Sequence, residues 1–366
     1  MRHLYVHVPF CVRRCSYCDF SIAVRKRIPA RDYVEAVGRE LELVRLSGEL
    51  ETIYLGGGTP SLLPPEAIHA LLFCVPRSAF RVEITIEANP EDVTPDAARA
   101  WRAAGVNRVS LGAQTFDDRV LQWMHRSHDS ARIGAAVHAL RGAGIDNISL
   151  DLIFALPEEL KRDWRRDLDH ALALRPPHLS LYGLTVEPRT PLDRWISRGA
   201  TRPPTEERYA EEYLFAHRRL TAEGFEFYEV SNAALHGFSS RHNSTYWSGS
   251  PYLGLGPAAH SFDGRARRWN VAAWEAYRRA IAAGRSPVES EEVLTEEQQE
   301  LEGVYLALRT AEGVPLRRPP PPSADQWVER GWVVVEGDRM RCTPEGWLRL
   351  DALVAKLFAT KGLSPA

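Results

Sequence analysis

No stretch of this chain approaches the roughly 18–20 uninterrupted apolar residues that a bilayer crossing requires. Met1–Phe10 alternates polar and apolar residues as a strand does, so no run resembling a signal peptide is expected there. There is no excess of one charge. With 46 basic against 48 acidic residues and a net charge of -2, binding to nucleic acid by bulk phosphate neutralisation is excluded. Lysine is scarce: only Lys26, Lys161, Lys356 and Lys361 break the run of arginines, a skew without functional content of its own. Cysteines number five, an odd count that argues against a disulfide framework. What is present is a 366-residue chain, 44% hydrophobic, large enough for two or three domains and expected to be cytosolic.

From residue 4 to about 184, short β-like runs alternate with amphipathic stretches. Strands are expected at Leu4–Val8, Thr52–Leu55, Arg81–Glu87, Arg108–Leu111, Asn147–Leu152 and His178–Leu184. Helices are expected at Ala30–Leu46, Pro65–Cys74, Pro95–Ala104, Ser130–Gly142 and Lys161–Leu174, with Pro65 and Pro95 in first turns and Gly105 and Gly144 at ends. The alternation predicts an α/β fold, a parallel sheet curled toward a partial (β/α)6 barrel. Beyond Arg202-Pro-Pro-Thr-Glu206, a helix (Glu206–Glu223), an irregular aromatic-rich stretch (Phe225–Asn270) and a second helix (Ala272–Ala283) follow. Residues 317–323 read as a loop or stiff spacer. The tail reads as a hairpin (332–335 and 340–343) and a helix (Glu345–Phe358). Three units are expected: a barrel (1–190), an α+β extension (191–285) and a small winged-helix-like domain (286–366).

Three of the five thiols fall within eight residues: Cys11-Val-Arg-Arg-Cys15-Ser-Tyr-Cys18, directly after the first strand. In a barrel that loop lies at the C-terminal mouth, where active sites are built. Structural zinc normally takes four protein ligands, and no fourth is suitably spaced. A four-iron cubane held by three thiolates leaves one iron for a small molecule. Cys74, in Leu71-Leu-Phe-Cys-Val75, and Cys342 are expected to be small core residues.

The CxxxCxxC loop after a first barrel strand resembles the radical S-adenosylmethionine (SAM) superfamily. That likeness implies a [4Fe-4S] cluster on Cys11, Cys15 and Cys18, and SAM on the open iron. Leu55-Gly-Gly-Gly-Thr-Pro-Ser61, Leu111-Gly-Ala-Gln-Thr-Phe-Asp117, Asp151-Leu-Ile-Phe-Ala-Leu-Pro157, Leu181–Pro188 and Tyr252–Ser261 extend the likeness to the branch of the oxygen-independent coproporphyrinogen III oxidases. The resemblance implies that Tyr5, Tyr17, Gly57, Gly58, Thr59, Glu87, Gln114, Arg126 and Asp151 form the SAM site. No side chain of the chain is singled out as catalytic.

Two departures separate the chain from the oxidases of that branch. They continue CxxxCxxCxC, where Phe20 stands here, and they carry a longer extension before the first cysteine. Both features are similar to the heme-chaperone group of the branch, and Arg241-His-Asn-Ser-Thr-Tyr-Trp247 matches that group's HNxxYW heme signature. The likeness implies heme on His242, flanked by Tyr246 and Trp247, with His260 in reserve. Imidazole is a common ligand of heme iron, and aromatic rings offer the macrocycle a flat contact. Implied partners are heme, a heme-accepting protein such as a respiratory cytochrome, membrane-bound or not, and an electron donor for the cluster. The location implied is cytoplasmic, peripheral to a membrane through a partner. The alternative function is the oxidase reaction itself, decarboxylation of coproporphyrinogen III, and SAM cleavage is left open. Three positions depart from the branch: Ala155-Leu-Pro-Glu-Glu-Leu160 replaces its usual GLPGQT, and Arg189 and Ala233 stand where Gly and Phe are typical.

Overall fold

The computed structural model describes all residues except 45, 47, 76–81, 317–323 and 360–366. The expected spacer at 317–323, and Arg81 at the head of the expected third strand, therefore lie outside the described residues. The first half alternates strictly: β1 (His3–Val8), α1 (Ala30–Val44), β2 (Thr52–Gly57), α2 (Pro65–Cys74), β3 (Glu83–Ala88), α3 (Pro95–Ala104), β4 (Arg108–Gln114), α4 (Asp118–Trp123), α5 (Ser130–Gly142), β5 (Asn147–Phe154), α6 (Trp164–Ala173) and β6 (His178–Gly183). β1 to β6 lie side by side in chain order and run parallel, forming the expected open, partial (β/α)6 barrel. α6 begins three residues later than expected because the Asp163 carboxylate accepts from the backbone N–H of Arg165 and Arg166 and caps it there.

Period-two alternation explains the layering. Ile53, Leu55, Ile84, Ile86, Val109, Leu111, Ile148, Leu150, Leu179 and Leu181 belong to one buried apolar cluster with residues of the covering helices. Their neighbours on the same strands are polar and meet one another across the inner face: Tyr54 with Glu87, Ser110 with Asp151, Ser149 with Ser180. Both faces are buried, one dry and one hydrogen-bonded. Cys74 departs from expectation: it is exposed, beside Phe73 at 76% exposure, because α2 turns Leu71 and Leu72 inward instead. Cys342 is buried as expected.

The stretch expected to be irregular adds α7 (Pro191–Ser197), α8 (Glu206–Ala222), β7 (Glu226–Glu229), β8 (Asn232–Ala234), α9 (Arg241–Trp247) and β9 (Leu253–Leu255). β9 joins β1 in parallel, and the β7/β8 hairpin joins β6 antiparallel, giving the sheet order β9-β1-β2-β3-β4-β5-β6-β8-β7. α9 closes the N-terminal end of the barrel. Its first backbone N–H groups, on Arg241 and His242, donate to the Glu83 carboxylate at 3.0 and 2.9 Å, a carboxylate at a helix start where the dipole favours it.

A second sheet holds β10 (His260–Phe262), β11 (Ala266–Asn270) and β12 (Val288–Val293), with α10 (Trp274–Ala282) before β12. Buried Glu40 on α1 ties this part to the barrel, accepting from Gly256 N, Asn270 Nδ2 and Tyr277 Oη at 2.7, 2.6 and 2.6 Å. The last segment contains α11 (Glu296–Arg309), β13 (Val314–Pro315), α12 (Ala324–Glu329), β14 (Val333–Glu336), β15 (Arg339–Cys342), α13 (Pro344–Trp347) and α14 (Leu350–Ala359), with sheet order β13-β15-β14. The single final helix expected from the sequence is two. Thr343 caps the first, and Gly346 approaches Trp332 so closely that a Cβ there would overlap its carbonyl.

Candidate functional site

The C-terminal ends of the barrel strands surround a cavity of about 360 Å³, in the size range of small-molecule sites. Cys11, Cys15 and Cys18 line it together with Tyr17, Gly57, Gly58, Thr59, Glu87, Gln114, Arg126 and Asp151. Residues scattered over 140 positions of sequence therefore meet at one wall, because each follows or ends a strand of the same parallel sheet.

The thiol loop is pinned from several sides. Ser16 N donates to Met124 O at 3.1 Å, Leu192 N donates to Ser16 O at 2.8 Å, and Arg14 donates to Cys18 O at 3.0 Å. Cys11 Sγ lies 3.3 Å from Thr59 Oγ1, and Arg126 donates to Cys15 Sγ at 3.6 Å. Burial pushes the Cys11 thiol up, and that of Cys18 to about 11. Thiolate ligation there releases protons and depends on a cation to hold the charge. Among the described residues no group of three His, Cys, Asp or Glu side chains is gathered closely enough to hold a single metal ion. The three thiols instead line one cavity, with the bare Gly57-Gly58 backbone running beside Cys11, a donor set suited to a cluster with one open corner. Arg126 Nε, a buried polar atom without a hydrogen-bond partner, sits in the same wall.

Gly58 is where the backbone approaches closest: a Cβ there would stand 2.8 Å from Phe10 O and 2.9 Å from Pro9 C. Gly57 has φ 111°, the left-handed side that favours glycine. Its N–H donates to Glu87 Oε2 at 3.0 Å, while Tyr54 Oη donates to Glu87 Oε1 at 2.8 Å. Burial raises the Glu87 carboxyl to about 7. Asp151 accepts from Ser110 at 3.0 Å and Ser149 at 3.1 Å, and burial raises it too. Arg126 also donates to Asn89 Oδ1 at 2.5 Å and Gly112 O at 3.0 Å. Gln114 has φ 65°, at a register shift of β4 against β5, a strained bulge of the kind that re-aims side chains beside sites.

Tyr5 differs from expectation. It does not line the cavity but lies one layer deeper on β1, with its hydroxyl 3.0 Å from His7 Nδ1 and its ring 6.1 Å from that of Tyr54. Other lining residues went unremarked in the sequence: Asn89, Glu91, His125, Tyr182 and Glu187. Tyr182 near the end of β6 had a legible signal, a polar aromatic at a barrel-strand terminus; the others sit in loops without one.

The heme-signature residues are elsewhere, at the opposite, N-terminal end. His242 is wholly buried. Its Nδ1 lies 2.7 Å from Thr52 Oγ1 and its Nε2 3.0 Å from Tyr246 Oη, and its ring stacks on Tyr54 at 5.0 Å. Burial, with His3 and Arg108 nearby, lowers the imidazole to about 3 and keeps it neutral. Arg309 lies over the Trp247 ring at 4.3 Å. His260 is exposed and stacks on Trp269 at 5.9 Å. Both nitrogens of His242 are engaged, so this closed floor does not fit a heme ligand.

This fold and mouth define a radical SAM protein, and the Radical SAM superfamily matches residues 5–171. The structure is similar to that of the coproporphyrinogen III oxidase HemN from Escherichia coli, a radical SAM enzyme, with a TM-score of 0.78 at 23% identity, covering 96% of this chain and 88% of that one. At that identity the likeness concerns the fold. The heme chaperone HemW of Mycobacterium tuberculosis is 38% identical, covering 97% of this chain and 94% of its own. HemW of Bacillus subtilis is 36% identical over 87% of this chain and 86% of its own. The chain belongs to the HemW family of radical SAM proteins. Among the described residues no helix is long and apolar enough to cross a membrane.

Proposed function

We propose that the protein is a heme chaperone: it binds heme, carries a [4Fe-4S] cluster with SAM at the barrel mouth, and passes heme to an acceptor protein. The observation that carries this reading is the kinship to HemW along nearly the whole chain. Cys11, Cys15 and Cys18 hold the cluster, which when bound supplies an exchangeable iron and a place for one electron. Gly57, Gly58 and Thr59 present backbone and hydroxyl groups to SAM, while Glu87 and Asp151 bring carboxylates to its amino and ribose groups. Gln114, Arg126 and Tyr17 shape the wall, and Tyr5 supports it from beneath. The acceptor is a heme protein such as a respiratory cytochrome, membrane-bound or not, and a separate electron donor serves the cluster. We read 1–190, 191–285 and 286–366 as barrel, extension and C-terminal unit.

His242, Tyr246 and Trp247 form the heme segment in a form of the protein other than the closed one described. Presenting His242 demands that its hydrogen bonds to Thr52 and Tyr246 open, whereas His260 is already accessible. Anaerobic heme titration of the wild type, His242→Ala and His260→Ala separates these roles. Saturable binding by the wild type, lost in His242→Ala and kept in His260→Ala, is the expected result. Unchanged binding by His242→Ala removes that residue, and absence of binding by the wild type overturns the chaperone function.

A further inference from the structure

The inner face of β4 begins with Arg108, which is 1% exposed. None of its three guanidinium nitrogens has a hydrogen-bond partner in the chain. A buried cation without hydrogen bonds is destabilising unless its field serves opposite charge. The register shows what surrounds it. Arg108 pairs with Thr85 on β3 and Asn147 on β5, and both neighbours also carry a buried oxygen without a partner, Thr85 Oγ1 and Asn147 Oδ1. One inward position further along the same strands lie Glu87, paired with Ser110, and Ser149. Ser110 and Ser149 both donate to Asp151. Arg108 thus lies one inward position below Glu87 and, relative to the adjoining β5, two inward positions below Asp151.

The groups facing Glu87 come from every neighbouring element. Tyr54 Oη and Gly57 N reach it from β2, Tyr5 from β1, Asp151 from β5, Tyr182 from β6, Tyr246 from α9 and Arg108 from β4. Arg108 is the cation in this set; the rest are neutral or acidic. Burial works to protonate both carboxylates, and the guanidinium works against burial in both.

We propose that Arg108 is a positioning residue for the SAM site: it touches no ligand, and from below the cavity floor its charge biases Glu87 and Asp151 toward the ionised form that receives the ammonium and ribose hydroxyls of SAM. The inference rests on the reading that SAM occupies the mouth cavity. It gives a role to a buried arginine whose guanidinium makes no hydrogen bond within the chain.

The test is equilibrium SAM binding to the cluster-loaded protein between pH 6 and 9, for the wild type, Arg108→Met and Arg108→Lys. A nearby opposite charge moves a carboxyl by about one unit or more. Arg108→Met is therefore expected to bind SAM about tenfold more weakly near pH 7, with the loss shrinking toward pH 9 as the carboxyls ionise without help. Arg108→Lys, which keeps the charge, is expected to restore most of the affinity. Glu87→Gln leaves the part of the pH dependence that belongs to Asp151, and adding Arg108→Met to it then costs less than the same change in the wild type. A Met variant with the wild-type pH profile overturns the inference, as does an equal loss at all pH values, which is what a purely structural role produces. If Arg108→Met does not fold, Arg108→Gln is read by the same criteria. Wild-type protein that binds no SAM at any pH defeats the underlying reading instead, so the two failures are distinct.

Discussion

Replacing His242 by alanine in the metal-free, heme-free protein isolates what this side chain does for the barrel floor. Its ring fills space between Tyr54 and Tyr246, at 5.0 and 5.3 Å between centroids. Thr52 Oγ1 keeps a partner after the change, His3 Nδ1 at 3.0 Å, whereas the Tyr246 hydroxyl loses the contact that ties it to the floor. An orphaned buried hydroxyl costs about 1–3 kcal/mol, and the hole left by the ring adds about 1–2 kcal/mol. Together the expected destabilisation is roughly 2–5 kcal/mol, read as a fall in the urea midpoint at unchanged slope. The pH dependence provides a second signature. The buried imidazole has its affinity for protons lowered to about 3, against about 6.5 in the unfolded chain. The unfolded state therefore binds the extra proton below pH 6.5. Stability from this group is complete above that value and declines by about 1.4 kcal/mol per pH unit below it, down to about pH 3. His242→Gln lacks this slope and shows a shallower acid limb. A His242→Ala protein within about 0.5 kcal/mol of wild type, with an unchanged acid limb, refutes the floor role. The result bears on heme binding, because loss of heme by His242→Ala means ligation only if the floor is intact.

Other outcomes follow from the same geometry. Replacing Cys11, Cys15 and Cys18 together by alanine should abolish iron and sulfide incorporation while leaving far-UV circular dichroism near wild type, since the loop is also held by backbone bonds at Ser16. Gly58→Ala forces a backbone carbonyl aside and should weaken SAM binding at least tenfold, measured by equilibrium dialysis. Glu40→Gln should stabilise the protein at pH 8 and not at pH 4. The folded carboxyl is raised to about 7 by burial, so between the ordinary carboxylate range and pH 7 the folded state holds a proton the unfolded state has released, and stability falls as pH rises. Arg189→Gly, relieving a φ of 66°, should raise stability by about 1 kcal/mol in urea denaturation.

The barrel was legible in the sequence because its signals are local. Pro65 and Pro95 open helices where first turns accept proline, and Ile53, Leu55, Ile84 and Ile86 alternate at the strand period. The cluster loop and the mouth residues were legible because a parallel sheet sends each strand's end to the same rim. The extension was not: β8, β9 and β10 are three residues each, too short for periodicity, and β9 owes its place to a Gly254 that lets the His260 backbone pass close by. Tyr5, implied by the resemblance, faces His7 and Tyr54 on β1, a placement that residue type and position in the motif do not reveal. Two departures from the branch acquire a physical meaning. Ala155 and Arg189, both where glycine is typical, have φ of 55° and 66°, so the glycines relieve backbone strain that this chain retains. The inward polar rows were invisible as a set, because Arg108, Thr85 and Asn147 become neighbours only through register.

The most direct measurement divides one anaerobic, cluster-loaded preparation between a heme titration and an incubation with reductant, SAM and coproporphyrinogen III. A heme chaperone binds heme saturably, yields it to an acceptor and forms no protoporphyrinogen. Sustained protoporphyrinogen formation by a sample that takes up no heme would contradict the account.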